Sequence, residues 1–143
     1  MGQILSTLLS EEKCRFIKEN IPPKYLPETE HYYVYRYQQS YLDYNKEELV
    51  VDVKYNKCGY NNFYDDEEAF QAFTLDDIIK LLPVHIDDDA QLIIWRDGES
   101  IYHYKYASKT HKKFPEFSGE NNLETAFLCL EWVINTNRFC YGR

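Results

Sequence analysis

The stretch from Gln91 to Tyr106 limits what this chain can fold into more than any other. Two runs, Gln91–Arg96 and Glu99–Tyr106, flank Asp97-Gly98, and such a pair between apolar-rich runs is a strong short-range signal for a β-hairpin. A two-residue type I′ turn takes positive φ at both central positions, which glycine adopts freely and aspartate tolerates. The register that follows sets Arg96 opposite Glu99, Ile94 opposite Ile101 and Ile93 opposite Tyr102. Charge meets charge and apolar meets apolar, so the pairing is internally consistent.

A second antiparallel pair precedes it. From His31 to Tyr37 the pattern has period two, with Tyr33, Tyr35 and Tyr37 on one side and Tyr32, Val34 and Arg36 on the other. Leu49 to Tyr55 alternates as well, and Asn45-Lys46-Glu47 supplies a polar turn between the two runs. Helical spacing marks three further segments. Residues 4–21 carry Ile4, Leu5, Leu8, Leu9, Cys14, Ile17 and Ile21, with Ser10 as an N-cap ahead of Glu11 and Glu12, and Pro22-Pro23 ends the run. Thr74 caps a short helix with Asp76 and Asp77 in its first turn, burying Leu75, Ile78, Ile79 and Leu82 before Pro83 closes it. Asn121 with Glu124 resembles a capping box for a helix reaching about Asn137. Its stripe of Leu123, Ala126, Phe127, Leu130 and Ile134 is widened by Leu128, Cys129, Trp132 and Val133, which predicts burial on two sides. Residues 56–72 follow no period. The expected fold is α+β, with antiparallel hairpins joined in one twisted sheet and helices on one face. The 143 residues suit a single domain over 1–143.

Composition narrows function mainly by exclusion. The net charge is −8, with 24 acids against 16 bases, whereas nucleic-acid affinity rests on Lys and Arg displacing counterions. Nucleic acid is therefore not an expected partner. The one cationic stretch, holding Lys105, Lys109, His111, Lys112 and Lys113, follows no fixed spacing and reads as a solvated loop. Acidic loops at 65–68 and 87–89 leave room for a DNA mimic, against which the interspersed bases count. The four cysteines, Cys14, Cys58, Cys129 and Cys140, show no C-x-x-C spacing, and no apolar signal segment precedes them. They are expected to be reduced and the protein cytoplasmic. No run approaches the roughly 20 apolar residues that cross a bilayer. Gly2 and Ser6 satisfy the spacing of an N-myristoylation pattern, but no polybasic segment follows to supply a second anchoring signal.

No catalytic, metal or cofactor signature emerges. Nucleophilic catalysis needs Ser or Cys near an oriented His, and His31, His85, His103 and His111 belong to no such motif. His103 falls opposite Leu92 in the expected hairpin and reads as a packed histidine. His85 with Asp87 and Asp89 is the best metal-like cluster, but it lacks the full spacing and central glycine of a calcium loop and reads as a polar turn. An enzymatic alternative is a small hydrolase assembled from distant residues, His103 or His85 with Asp65, Asp66, Glu67 or Glu68.

The helix Thr74–Pro83, the tyrosine-rich hairpin and the segment Leu123–Phe139 together resemble small uncharacterised proteins of gut anaerobic bacteria and their phages or mobile elements. Those proteins often end in an "ALxxMLxWLIEN" helix, matched here by Glu124-Thr125-Ala126-Phe127-Leu128-Cys129-Leu130-Glu131-Trp132-Val133-Ile134-Asn135. The resemblance covers roughly the C-terminal half. It implies a bacterial or mobile-element origin, in which the myristoylation pattern has no meaning, and it implies no activity.

One feature exceeds background: 14 tyrosines in 143 residues. Tyr33, Tyr35 and Tyr37 form one row, and Tyr102, Tyr104 and Tyr106 form another. Under helices such rows are core; uncovered, they form an amphipathic platform of the kind enriched in protein interfaces. The expectation is a non-enzymatic interaction protein that exposes at least one row to a protein partner or to a second copy.

Overall fold

The computed structural model describes residues 8–29, 31–38, 46–53, 69–98, 100–110 and 113–139, with backbone alone for 34–38, 46–53 and 69–70. The α+β class is as expected, but the strands divide between two antiparallel sheets instead of joining in one. The chain likewise resolves into two compact units, one of residues 1–21 and 28–73, the other of residues 22–27 and 74–143.

In the first unit, helix α1 (Glu11–Asn20) is followed by strands β1 (His31–Gln38), β2 (Lys46–Val53) and β3 (Ala69–Ala72), in the order β2-β1-β3. Ser10 occupies the N-cap position without a capping hydrogen bond from its side chain, so the first turn relies on its acids, with Glu11 paired to Arg15 at 2.8 Å. Leu8 and Leu9, expected in the helical run, lie ahead of α1 and are buried. The expected β1–β2 pair is present, with Tyr33 opposite Val51 and Tyr35 opposite Leu49. Strand β3, at the end of the segment without a period, adds to the other edge of β1. Leu9, Cys14, Ile17, Ile21, Tyr33 and Phe73 make the core.

In the second unit, helix α2 (Leu75–Leu81) leads into β4 (His85–Ile86), β5 (Ala90–Asp97), β6 (Ile101–Ser108), β7 (Glu116–Gly119) and helix α3 (Asn122–Asn135), with the strands in sequential order. Both caps form as expected. Thr74 and Asp77 exchange the reciprocal bonds of a capping box, and Asn121 Oδ1 accepts from the Glu124 backbone N–H at 3.0 Å. Helix α3 packs on β6, β7 and α2, burying Leu123, Ala126, Phe127, Leu130 and Val133, while Leu128 stays exposed. The breadth of its apolar surface is therefore not fully covered.

The hairpin at Asp97-Gly98 departs from expectation, while the expected turn at Asp87–Asp89 forms. Between β5 and β6, Asp97 pairs with Ile101 and Ile94 with Tyr104, so three residues form the connection and Arg96 faces Tyr102, not Glu99. Among the described residues of this connection, Gly98 alone takes positive φ, at 65°, whereas a type I′ turn would require it of Asp97 too. Between β4 and β5 the positive pair does occur, at Asp87 (φ 50°) and Asp88 (φ 69°), with no glycine. The end of α3 explains how that turn is held. Asn137, at φ 58°, follows the helix in the left-handed region, Arg138 N–H bonds to Val133 O, and Asn137 N–H bonds to Ile134 O. This is a Schellman ending. It delivers Arg138 to Asp87, with Nε at 3.2 and 3.1 Å from the two carboxylate oxygens, while its guanidinium lies over Trp132 and Phe114.

Candidate functional site

The four-stranded sheet presents two chemically distinct faces, because side chains alternate along each strand and cross-strand partners share a face. The face that α3 covers carries Ala90 and Leu92 of β5, Tyr104 and Tyr106 of β6, and Phe117 of β7, while Ile94 shares that face at the sheet's outer edge and is 41% exposed. Tyr106 Oη donates to Pro83 O at 2.7 Å, and Tyr104 Oη donates to Asn122 Oδ1 on α3. Trp132 of α3 meets Tyr106 and Phe117, with ring centroids at 6.1 and 6.2 Å. Burial pushes the Tyr104 hydroxyl up to about 12 and the Cys129 thiol up to about 12.

Across the sheet, Ile93, Trp95, Ile101, His103 and Lys105 share the opposite face with Glu116 and Ser118. Ile93 is 43% exposed, Trp95 37% and Ile101 40%. This apolar surface is built from continuous strand positions, not from scattered residues. Trp95 and His103 lie opposite each other and stack, with centroids 4.7 Å apart and planes 6° from parallel. His103 Nδ1 sits 3.2 Å from Glu116 Oε2, which fits the tautomer with its proton on Nδ1. His103 Nε2 is buried and has no hydrogen-bond partner.

The described members of the tyrosine rows lie mostly in the core. Tyr33, Tyr104 and Tyr106 are core, each with its hydroxyl bonded, Tyr33 to Leu9 O at 2.7 Å. Tyr102 is half-buried. The side chains of Tyr35 and Tyr37 lie outside the described residues. The rows also belong to separate sheets, so they are not adjacent within one sheet. The reason lies in the helices: α3 covers the Tyr104 face and leaves the other open. On the open face, the exposed apolar residues are Ile93, Trp95 and Ile101, a set that sequence reasoning missed because the continuous apolar run Leu92–Trp95 carries no alternation that assigns a face.

The hydrolase candidate needs Asp65, Asp66, Glu67 or Glu68, which lie outside the described residues, and the metal candidate does not come together among the described ones. Trp95 and Glu116 occupy the flanks of His103, although Ser118 is its cross-strand neighbour. His85 is exposed, Asp87 is held by Arg138, and Asp89 accepts from Ser108 Oγ at 2.8 Å. No group of three metal-ligating side chains occurs among the described residues, and residues 65–68 lie outside them. Cys14 and Cys129 are free thiols, while Cys58 and Cys140 lie outside the described residues. A cleft of about 200 Å³ lined by Tyr25, Lys80, Pro83, Val84 and Phe139 is smaller than the roughly 300–1,000 Å³ typical of ligand pockets. No described helix is long and apolar enough to cross a membrane. No protein-family model matches the chain, and neither a curated protein nor a solved structure matches it.

Proposed function

We propose that this chain is a non-enzymatic protein-interaction protein, an accessory factor of a bacterium, phage or mobile element, that binds through the outer face of its four-stranded sheet. The observation that supports this reading is the contiguous row Ile93, Trp95 and Ile101, each more than a third exposed on the uncovered face. Fully burying an exposed large apolar side chain is worth about 1.5–3 kcal/mol, so covering the fraction of each that remains exposed is worth roughly 1 kcal/mol. A continuous row of them marks a surface that a partner covers. Tryptophan is also among the residues enriched at energetically dominant interface positions.

The test uses the full chain as bait in its native host, with Ile101→Lys as the comparison. A stoichiometric protein partner retained by wild type and lost with Ile101→Lys, at unchanged melting temperature, is the expected result. Partner binding indifferent to Ile101→Lys would overturn the assignment of this face. Turnover of an ester, amide or glycoside substrate abolished by His103→Ala would overturn the non-enzymatic reading.

A further inference from the structure

We infer that a second copy of this chain adds its own β5 to the open edge of β5, antiparallel about a two-fold axis at Trp95. This names a partner class within the interaction reading above and rests on it. Strand β4 covers β5 only at Ala90 and Gln91, and the Leu92 N–H then donates to Val84 O at 2.9 Å. In an antiparallel ladder, every second residue points its N–H and C=O at the same neighbour. Ile94 and Arg96 therefore point their backbone groups to the side that β4 occupies at Leu92, but past the end of β4. Among the described residues, no strand pairs with them there. Their side chains, with Ile93, Trp95 and Asp97, are all exposed. Such an edge is a template for a further strand.

The register selects a second copy as the occupant. With Trp95 opposite Trp95, Ile94 of each copy faces Arg96 of the other, so each free donor meets a free acceptor. A slip of one residue turns these groups away from the seam. A slip of two in one direction draws in Leu92, whose N–H is already committed to Val84, and in the other sets Arg96 directly opposite Arg96, like charge against like. On the outer face, the stacked row His103–Trp95 continues into Trp95 and His103 of the second copy. The adjacent row Glu116–Lys105–Ile93 continues into Asp97 of the second copy, which places a carboxylate on either side of Lys105. An unrelated strand would satisfy the same backbone groups but would supply neither the ring partner nor the charge. The seam is short, with Ile94 and Arg96 of each copy supplying its backbone hydrogen bonds, so association is expected to be weak and concentration-dependent.

Sedimentation equilibrium on the full chain from about 10 µM to about 1 mM is expected to show the mass rising toward that of a dimer. Arg96→Pro removes the outward N–H and weakens association at least about tenfold, whereas Arg96→Ala retains it. Trp95→Lys and Trp95→Glu are each expected to be monomeric, and an equimolar mixture to recover the dimer, because only a two-fold at this residue sets Lys against Glu. A monomeric wild type at the highest concentration would overturn the inference. So would association of Trp95→Lys equal to wild type, or a mixture that stays monomeric. A monomeric wild type leaves the Ile101 test standing, and a partner indifferent to Ile101→Lys leaves the charge-swap test standing, so the two failures are distinguishable.

Discussion

On one face of the second sheet Tyr104 and Tyr106 lie under α3, and on the other Ile93, Trp95 and Ile101 lie open. Hydropathy alone would not choose this arrangement, since isoleucine and tryptophan are at least as apolar as tyrosine. Geometry does. Tyr106 reaches Pro83 O and Tyr104 reaches Asn122, so each ring is buried while its hydroxyl stays bonded. The open face has Trp95 stacked on His103 and offers the helices nothing comparable. The lesson is that polar satisfaction at the ring tips decides which aromatic face a helix covers, and the face left over becomes available for binding.

The largest expected effect tests that difference directly. Tyr106→Ala removes a fully buried ring, its contact with Trp132 and the Pro83 bond, and is expected to cost about 3–5 kcal/mol in denaturant unfolding. A cost below about 1 kcal/mol would mean that the covered face is not core. The same face also titrates. The Tyr104 hydroxyl rises from 10.0 to about 12 and the Cys129 thiol from 9.0 to about 12, both through desolvation. The folded pKa lies above the unfolded one, so their stabilisation is full below about pH 9 and is lost as pH rises through 12. Unfolding midpoints should fall across that window, and Tyr104→Phe should flatten the decline. A flat profile in wild type would contradict desolvation of these groups.

Gly119 sharpens the contrast at the rim of the covered face. A Cβ there would lie 2.9 Å from Thr125 Oγ1 of α3, a buried hydroxyl that also bonds Asn121 O at 2.7 Å. Gly119→Ala is therefore expected to destabilise by about 1–3 kcal/mol through overpacking, and Thr125→Ser, which keeps the hydroxyl, should not relieve it. Gly98 lies away from α3 with open space around its Cβ position, but at φ 65°. Gly98→Val is expected to cost about 1–2 kcal/mol from backbone strain alone. Equal stability of Gly98→Val and wild type in thermal melts would count against the positive φ.

The sequence made much of the local structure legible and little of the functional surface. Thr74 and Asn121 marked their helices because capping is local chemistry, read within four residues. Asp97-Gly98 marked the hairpin, but the register differs by three residues on β6. An odd shift moves Ile101 from the side of Ile94 to that of Ile93 and Trp95, and the unbroken run Leu92–Trp95 tolerates either side. The turn at Asp87-Asp88 takes two positive φ values without glycine, and the residue that grips Asp87 is Arg138, 51 positions away. No window of sequence contains that pair. Strands β3 and β7, four residues each, were too short to show a period.

The smallest expected effect lies on the open face and completes the comparison. Ile93 is 43% exposed on the face opposite Tyr104 and Tyr106, so replacing it with threonine exchanges one β-branched strand residue for another in a site already wet. Little apolar area is lost from the core, and the added hydroxyl keeps its water. Ile93→Thr should therefore leave stability within about 0.5 kcal/mol of wild type, read as the shift in urea midpoint. Tyr106→Ala and Ile93→Thr thus bracket the two faces of one sheet. A loss of about 2 kcal/mol or more at Ile93 would show that something covers this face in the free chain. The exposed row would then be part of the fold and not a surface held for a partner.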